Sequence, residues 1–324
     1  MNLTKLFLTK KFKEYYQEAE IELPNEFERR EFAIVPLEYL PEFVMIRHLS
    51  FRSQDDFRSY ILSRIPAHIY YSSAYYEYPN KEMEKKGWIK ADLIFDIDAD
   101  HLPVKTSFEK LLEIARREVK KLLTILKRDF GISEEFIRVY FSGSRGYHIH
   151  VMSEEYSYLS SAERREIIDY ITVNNPKVFN GDTFYNSNIA SRVAKYVKRK
   201  LNLNSDKIPK KHRREVEEIV DRALQKMRVH IDSPVTADVK RLIRLPNSLH
   251  GKTGLKVTEV EDLDSFNPFK DSIVFSDNPV EVTVLKNSRV NLGDFKSKLY
   301  AGERIKVPEY VAIFLMCRGE AKFG

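Results

Sequence analysis

Asp92-Leu93-Ile94-Phe95-Asp96-Ile97-Asp98-Ala99-Asp100 decides how the rest of the chain is read. Side chains alternate along a strand, so Leu93, Phe95 and Ile97 share one face. Asp92, Ile94, Asp96, Asp98 and Asp100 share the other. The apolar row suits a core, while the carboxylates at 96, 98 and 100 crowd together. Like charges at that spacing repel, and Asp is a poor strand former. A divalent cation offsets that cost, and hard oxygen ligands suit Mg²⁺ or Mn²⁺. A strand end fraying into an acidic turn gives the same local pattern, so the remaining sequence has to decide.

Working outward, Phe108, Leu111, Leu112, Ala115, Val119, Leu122, Leu123 and Leu126 trace one helical stripe that Gly131 closes. Arg138 to Ser142 reads as a strand, Ser142-Gly143-Ser144-Arg145-Gly146 as a tight turn, and Tyr147 to Val151 as the returning strand. Alternation sets His148 and His150 on one face. Upstream, residues 3–20 read as an amphipathic helix, with short strands at 29–35 and 43–51. Arg30 and Arg47 in those strands are candidates to face a shared polar cleft. A helix over 55–64 and a strand over 67–73 follow, with Tyr70, Tyr71, Tyr75, Tyr76 and Tyr78 expected in core or rim packing.

Downstream, residues 153–228 turn helical and basic. Ser160 and Glu163 form a capping box, and Lys195 to Arg214 is dense in Lys and Arg. Val229 to Asp232 reads as a short strand ending in another carboxylate. The expected architecture is mixed α/β. Antiparallel sheets flanked by helices form one domain from 1–152 and 229–324, with an inserted basic helical subdomain over 153–228.

Composition sets the bounds. The 324 residues carry 54 Lys and Arg against 48 Asp and Glu, a formal charge of +6 that leans towards polyanionic partners. Cys317 is the sole cysteine, which excludes an internal disulfide framework and a Cys-rich zinc site. No apolar run is long enough to span a membrane and no signal-peptide core is visible, so a cytoplasmic home is expected. Three Gln in a Lys- and Glu-rich chain hint at a thermophilic source.

Asp96, Asp98 and the distant Asp232 together suit two cations and phosphoryl transfer. A nucleoside triphosphate then needs cationic clamps. Arg145, Arg244 and Lys252 supply fixed charge, and His148 and His250 supply hydrogen bonds, with charge if protonated. Ser142, Ser144 and the backbone amides of their turn can bond phosphate oxygens.

The sequence resembles the small subunit of archaeal and eukaryotic DNA primases, its archaeal form most of all. The resemblance rests on Asp96-Ile97-Asp98, on Ser142 to His148, and on Asp232 followed by Lys240-Arg241-Leu242-Ile243-Arg244-Leu245-Pro246-Asn247-Ser248-Leu249-His250-Gly251-Lys252. Arg30-Glu31-Phe32 and Ile46 to Phe51 resemble its N-terminal blocks. The match runs in order over roughly residues 10–260.

The resemblance implies a nucleotidyltransferase that starts RNA or DNA chains de novo on single-stranded DNA from NTP or dNTP. It implies metal ligation by Asp96, Asp98 and Asp232, and nucleotide contacts by Ser142, Arg145, His148, Arg244, His250 and Lys252. An iron–sulfur-containing large subunit is the implied partner. The chain departs from the family after the acidic strand, where many members carry a zinc-binding module and this one has no Cys, so no zinc is expected. A primase-polymerase of end joining or of a plasmid, and a non-catalytic nucleic-acid-binding subunit, are the competing readings.

Overall fold

The computed structural model describes residues 3–101, 108–174, 176–185, 187–205, 207–208 and 213–324. Helix α1 (Leu3–Glu18) leads to strands β1 (Phe32–Pro36) and β2 (Ile46–Leu49), helix α2 (Gln54–Arg64), and strands β3 (Pro66–Ser72), β4 (Ala74–Tyr76), β5 (Trp88–Ala91) and β6 (Leu93–Asp98). Helix α3 (Phe108–Arg128) is followed by the hairpin of β7 (Ile137–Phe141) and β8 (Gly146–Val151). Then come α4 (Glu154–Ser157), α5 (Ser161–Thr172), a small hairpin of β9 (Phe179–Asn180) and β10 (Thr183–Phe184), α6 (Asn188–Leu201) and α7 (Arg213–Met227). The chain returns through α8 (Ser233–Ala237), β11 (Leu242–Arg244), β12 (Thr258–Glu259) and α9 (Pro268–Asp271). It closes with β13 (Pro279–Val284), β14 (Ser288–Leu292), β15 (Phe295–Leu299), β16 (Arg304–Pro308), α10 (Glu309–Cys317) and β17 (Ala321–Phe323).

Two four-stranded sheets organise the body, in the orders β11-β3-β1-β2 and β12-β7-β8-β6, and every pairing in them is antiparallel. This is the mixed helix and antiparallel-sheet architecture expected. Leu93, Phe95 and Ile97 of β6 are all buried, as is the α3 stripe of Leu112, Ala115, Val119, Leu122 and Leu126 that packs on the sheet. Burying side chains of this size stabilises by roughly 1.5–3 kcal/mol each. The sheets meet on the other face of β8, where Tyr71 Oη lies 3.1 Å from His150 Nδ1.

That second face corrects one expectation. Asp92 and Ile94 are buried rather than polar-facing. Asp92 accepts from Arg30 at 2.7 Å and from the Tyr75 hydroxyl at 3.0 Å. Arg30 is therefore an interior ion-pair partner, and Arg47 binds Glu31 at 3.0 Å. Neither lines a shared polar cleft, because each already has a carboxylate. Of the tyrosines, Tyr71, Tyr75 and Tyr76 are buried and Tyr78 is exposed.

The predicted strand at Val229 to Asp232 is also corrected. The segment is extended but forms no ladder, and the chain turns at once into α8 with Pro234 in its first turn. Two bonds hold it: Val229 N–H donates to Ile171 C=O at 3.1 Å, and Asp232 N–H to Asp96 C=O at 2.8 Å. Helix α5 starts at the predicted Ser160–Glu163 capping box and sends Ile167 and Ile171 into the main core. Val178, Phe184, Val193, Val197, Val216 and Val220 belong to a separate core. The basic run 195–214 falls partly outside the described residues, and residues 102–107, on which the expectation of no zinc module falls, lie wholly outside them.

Candidate active site

The site is a cleft of about 540 Å³ at the seam between the two sheets. The second sheet contributes Asp96 and Asp98 from β6 and His148 from β8. The first contributes His68 and Tyr70 from β3 and Arg244 from β11. Two turns complete it with Ser142, Ser144, Arg145, His250 and Lys252, and Phe43 and Asp100 stand at its rim.

Register explains the acidic wall. Asp96 pairs with His148 and Asp98 with Gly146, so the carboxylates lie beside the turn that carries Ser142 to Arg145. The turn needs its glycines. Gly143 has φ +80°, in the left-handed region, and a Cβ on Gly146 would collide with the Ile97 carbonyl oxygen. Ser142 Oγ accepts from Gly146 N–H at 3.2 Å and fastens the turn.

Asp96 is partly open to the cleft, with one-fifth of its side chain exposed. Burial first, then repulsion from Asp98 and Asp232, pushes its pKa from 3.8 up to about 7, against the pull of Arg244 and Arg241. Asp232 thus acts on Asp96 electrostatically and by its backbone bond, although it is not among the residues that line the cleft. Asp98 Oδ1 accepts the Asp100 amide at 2.9 Å. Among the described residues, no group of three or more His, Cys, Asp or Glu is disposed, as placed, to hold a metal ion. The candidate donor set nevertheless fits a hard divalent cation: its groups are carboxylate oxygens, and their mutual repulsion is what such a cation would neutralise.

On the basic wall, Arg244 Nη1 donates to His68 Nδ1 at 2.7 Å and to Tyr70 Oη at 3.0 Å. The Gly251 amide also donates to His68 Nδ1, at 3.3 Å. With Nδ1 accepting, the proton of the neutral ring sits on Nε2. Burial, reinforced by nearby cations, holds His68 and His250 well below the usual histidine range; burial, His150 and Arg244 do the same for His148. Burial thus disfavours the protonated forms in which His148 and His250 would add charge, and leaves the hydrogen-bonding role expected of them. His148 Nε2 lies 3.9 Å from Asp96 Oδ1, and Lys252 N–H donates to His250 Nδ1 at 3.3 Å. Arg145 ion-pairs with Asp100.

Nine of the ten residues singled out in the sequence line this one cleft, and the tenth, Asp232, abuts it. A model of the DNA primase small subunit family matches residues 95–262, which spans both walls except β3. A DNA primase small subunit PriS from Archaeoglobus fulgidus is 58% identical over 338 residues, covering 99% of each chain. The chain belongs to the DNA primase small subunit family. A second primase small subunit, from Methanococcoides burtonii, is 37% identical over 388 residues, again covering 99% of each. Among solved structures, the polymerase domain of Mycobacterium tuberculosis ligase D in complex with DNA aligns with a TM-score of 0.43 at 15% identity, over 79% of this chain and 83% of that one.

Phe43, His68 and Tyr70 are primase cleft residues that sequence reasoning missed. Alternation along Ala67-His68-Ile69-Tyr70 puts His68 and Tyr70 on one face, but nothing local says that this face meets Arg244. The pairing of Arg244 with Tyr70 across β11 and β3 supplies that link.

Proposed function

We propose that this chain is the catalytic primase subunit, making short RNA primers, and DNA chains from dNTP, de novo on single-stranded DNA. One observation carries the reading: a carboxylate wall and a cationic wall face each other across a single cleft of nucleotide size. The reaction forms a bond from the 3′-hydroxyl oxygen to the α-phosphorus, breaks the α–β anhydride, releases pyrophosphate and passes the hydroxyl proton to solvent.

Asp96, Asp98 and Asp232 would hold divalent cations, whose chemistry would be to lower the pKa of the attacking hydroxyl and to neutralise the leaving pyrophosphate. Arg145, Arg244 and Lys252 bind the triphosphate charge. Neutral His148 and His250, Ser142 and Ser144 orient its oxygens by hydrogen bonds. Asp100 holds Arg145 at the rim until the triphosphate competes for it.

Full-length similarity to primase small subunits favours this reading over an end-joining polymerase. An intact carboxylate set argues against a non-catalytic subunit. A large subunit, as implied by the family, and a cytoplasmic place at the replicating DNA belong to the same reading. Catalysis is assigned to 1–152 and 229–324. The inserted basic subdomain over 153–228 is supported by its separate core, although α5 packs with the catalytic body.

Primer synthesis on single-stranded template, with labelled NTP and dNTP and with or without Mg²⁺ or Mn²⁺, tests the proposal. Asp98→Ala should abolish metal-dependent synthesis in a folded protein. Near-native synthesis by that variant would sink the metal assignment.

A further inference from the structure

We propose that the outer face of the β14–β15 hairpin is a phosphodiester-backbone site that holds single-stranded template next to the catalytic cleft. The proposal rests on the primase reading and adds a surface to it. Along the hairpin Val290, Leu292 and Leu299 turn inward and are buried, while Arg289, Asn291, Lys296 and Lys298 turn outward and are exposed. Arg289 stands directly opposite Lys298, and Asn291 opposite Lys296. Like charges directly opposite one another destabilise an antiparallel pair.

Neighbouring strands avoid that cost. Arg304 of β16 pairs with Glu281 of β13 at 2.7 Å. Among the described residues, no carboxylate lies within ion-pairing distance of Arg289, Lys296 or Lys298. Asp294 lies at the hairpin tip, Glu109 across a groove, and Glu320 accepts from Ser288 Oγ at the start of β14, at 2.8 Å. Three cations and an amide on a flat face, with no apolar side chain among them, suit a polyanion rather than a packed protein surface. The four outward ladder positions include no aromatic ring, and the exposed Tyr300 lies one residue past the end of β15, so the contact along the ladder is to backbone.

Position ties this face to the chemistry. Strand β6 delivers Asp96 and Asp98 at its C-terminal end, and α3 begins against the turn Ala99–His101 that follows. Glu109, in the first turn of α3, lines a groove of about 340 Å³ together with Arg289, Asn291 and Lys296. The hairpin therefore stands beside the first turn of α3, the helix that follows β6 and packs on the turn after it.

The test measures binding of the full chain to fluorescent oligothymidylate from about 50 to 200 mM salt. Joint replacement Arg289→Gln, Lys296→Gln and Lys298→Gln should weaken binding several-fold at the low-salt end. It should also flatten the slope of log affinity against log salt by about 2. The set Lys13→Gln, Lys81→Gln and Lys85→Gln, exposed lysines outside the hairpin, should leave that slope unchanged. Arg289→Gln alone should show about a third of the flattening, which keeps the test decisive if the triple variant does not fold.

Identical slopes for native and hairpin variants overturn the proposal. So does equal flattening in the control set, or a hairpin variant that binds DNA normally but no longer associates with the large subunit. Failure of the native protein to add nucleotides, with hairpin-dependent DNA binding intact, would strike the primase reading and leave the binding site standing.

Discussion

Replacing Asp96 with asparagine isolates the electrostatic cost of the acidic wall. In metal-free protein the Asp96 carboxyl has its pKa raised from 3.8 to about 7. A folded-state value above the unfolded one means stability is fullest with the group protonated, below about 3.8, and is lost as pH rises through 7. With one-fifth of the side chain exposed, the loss amounts to roughly 2–4 kcal/mol. The amide keeps the shape and carries no charge, so the variant lacks this contribution. In chelator-treated protein the two should melt alike near pH 4. At pH 7.5 the Asp96→Asn variant should melt higher by about 3–6 °C. Adding Mn²⁺ at pH 7.5 to about 1,000 times its Kd should reverse the order, because a ligand at that excess stabilises the native state by about 4.1 kcal/mol, and the substitution weakens that binding. Thermal unfolding followed by circular dichroism across pH 4–8, with and without Mn²⁺, reads both effects. A melting difference that does not change with pH, or equal stabilisation of both proteins by Mn²⁺, would refute the argument.

Two further outcomes follow from the cationic wall. Asp100→Asn frees Arg145 from an ion pair in which both side chains are about half exposed; such pairs contribute about 0–1 kcal/mol, so nucleotide KM should fall by no more than about fivefold, and a rise would show that Asp100 assists binding. His68→Leu removes the acceptor shared by Arg244 and the Gly251 amide; a hydrogen bond to a charged group is worth about 1.5–3 kcal/mol, so nucleotide KM should climb at least tenfold with kcat little changed, and an unaltered KM would remove His68 as a positioning residue.

Features set by near neighbours in sequence were legible. The alternation that buries Leu93, Phe95 and Ile97 while exposing Asp96 and Asp98 is a period-two pattern. The Ser142–Gly146 turn is dictated by Gly143 at φ +80° and by the close approach at Gly146. The α3 stripe follows from helical periodicity alone. Partners far along the chain were not legible. Arg30 looks like a cleft arginine until Asp92, 62 residues on, is placed against it. Asp232 was found as a residue but misread as strand, since the Pro234 that starts α8 overrides the β-branched pattern before it.

The cleft itself shows why its basic wall was only half visible. Its acidic side lies on β6, whose neighbour β8 arrives through a nearby hairpin-bearing segment. Its basic side requires β11 to return across a long stretch of chain and pair with β3, setting Arg244 on Tyr70 and His68. His68 then bonds both Arg244 and Gly251, so one buried neutral imidazole joins the strand and the turn that carry the clamp. Opposite charges from different sheets face each other without neutralising one another, since burial first, and then repulsion from Asp98 and Asp232, raises Asp96 to about 7 despite Arg244 and Arg241. A cleft that keeps both charges in place is matched to a ligand carrying both: a polyphosphate for one wall and its cations for the other.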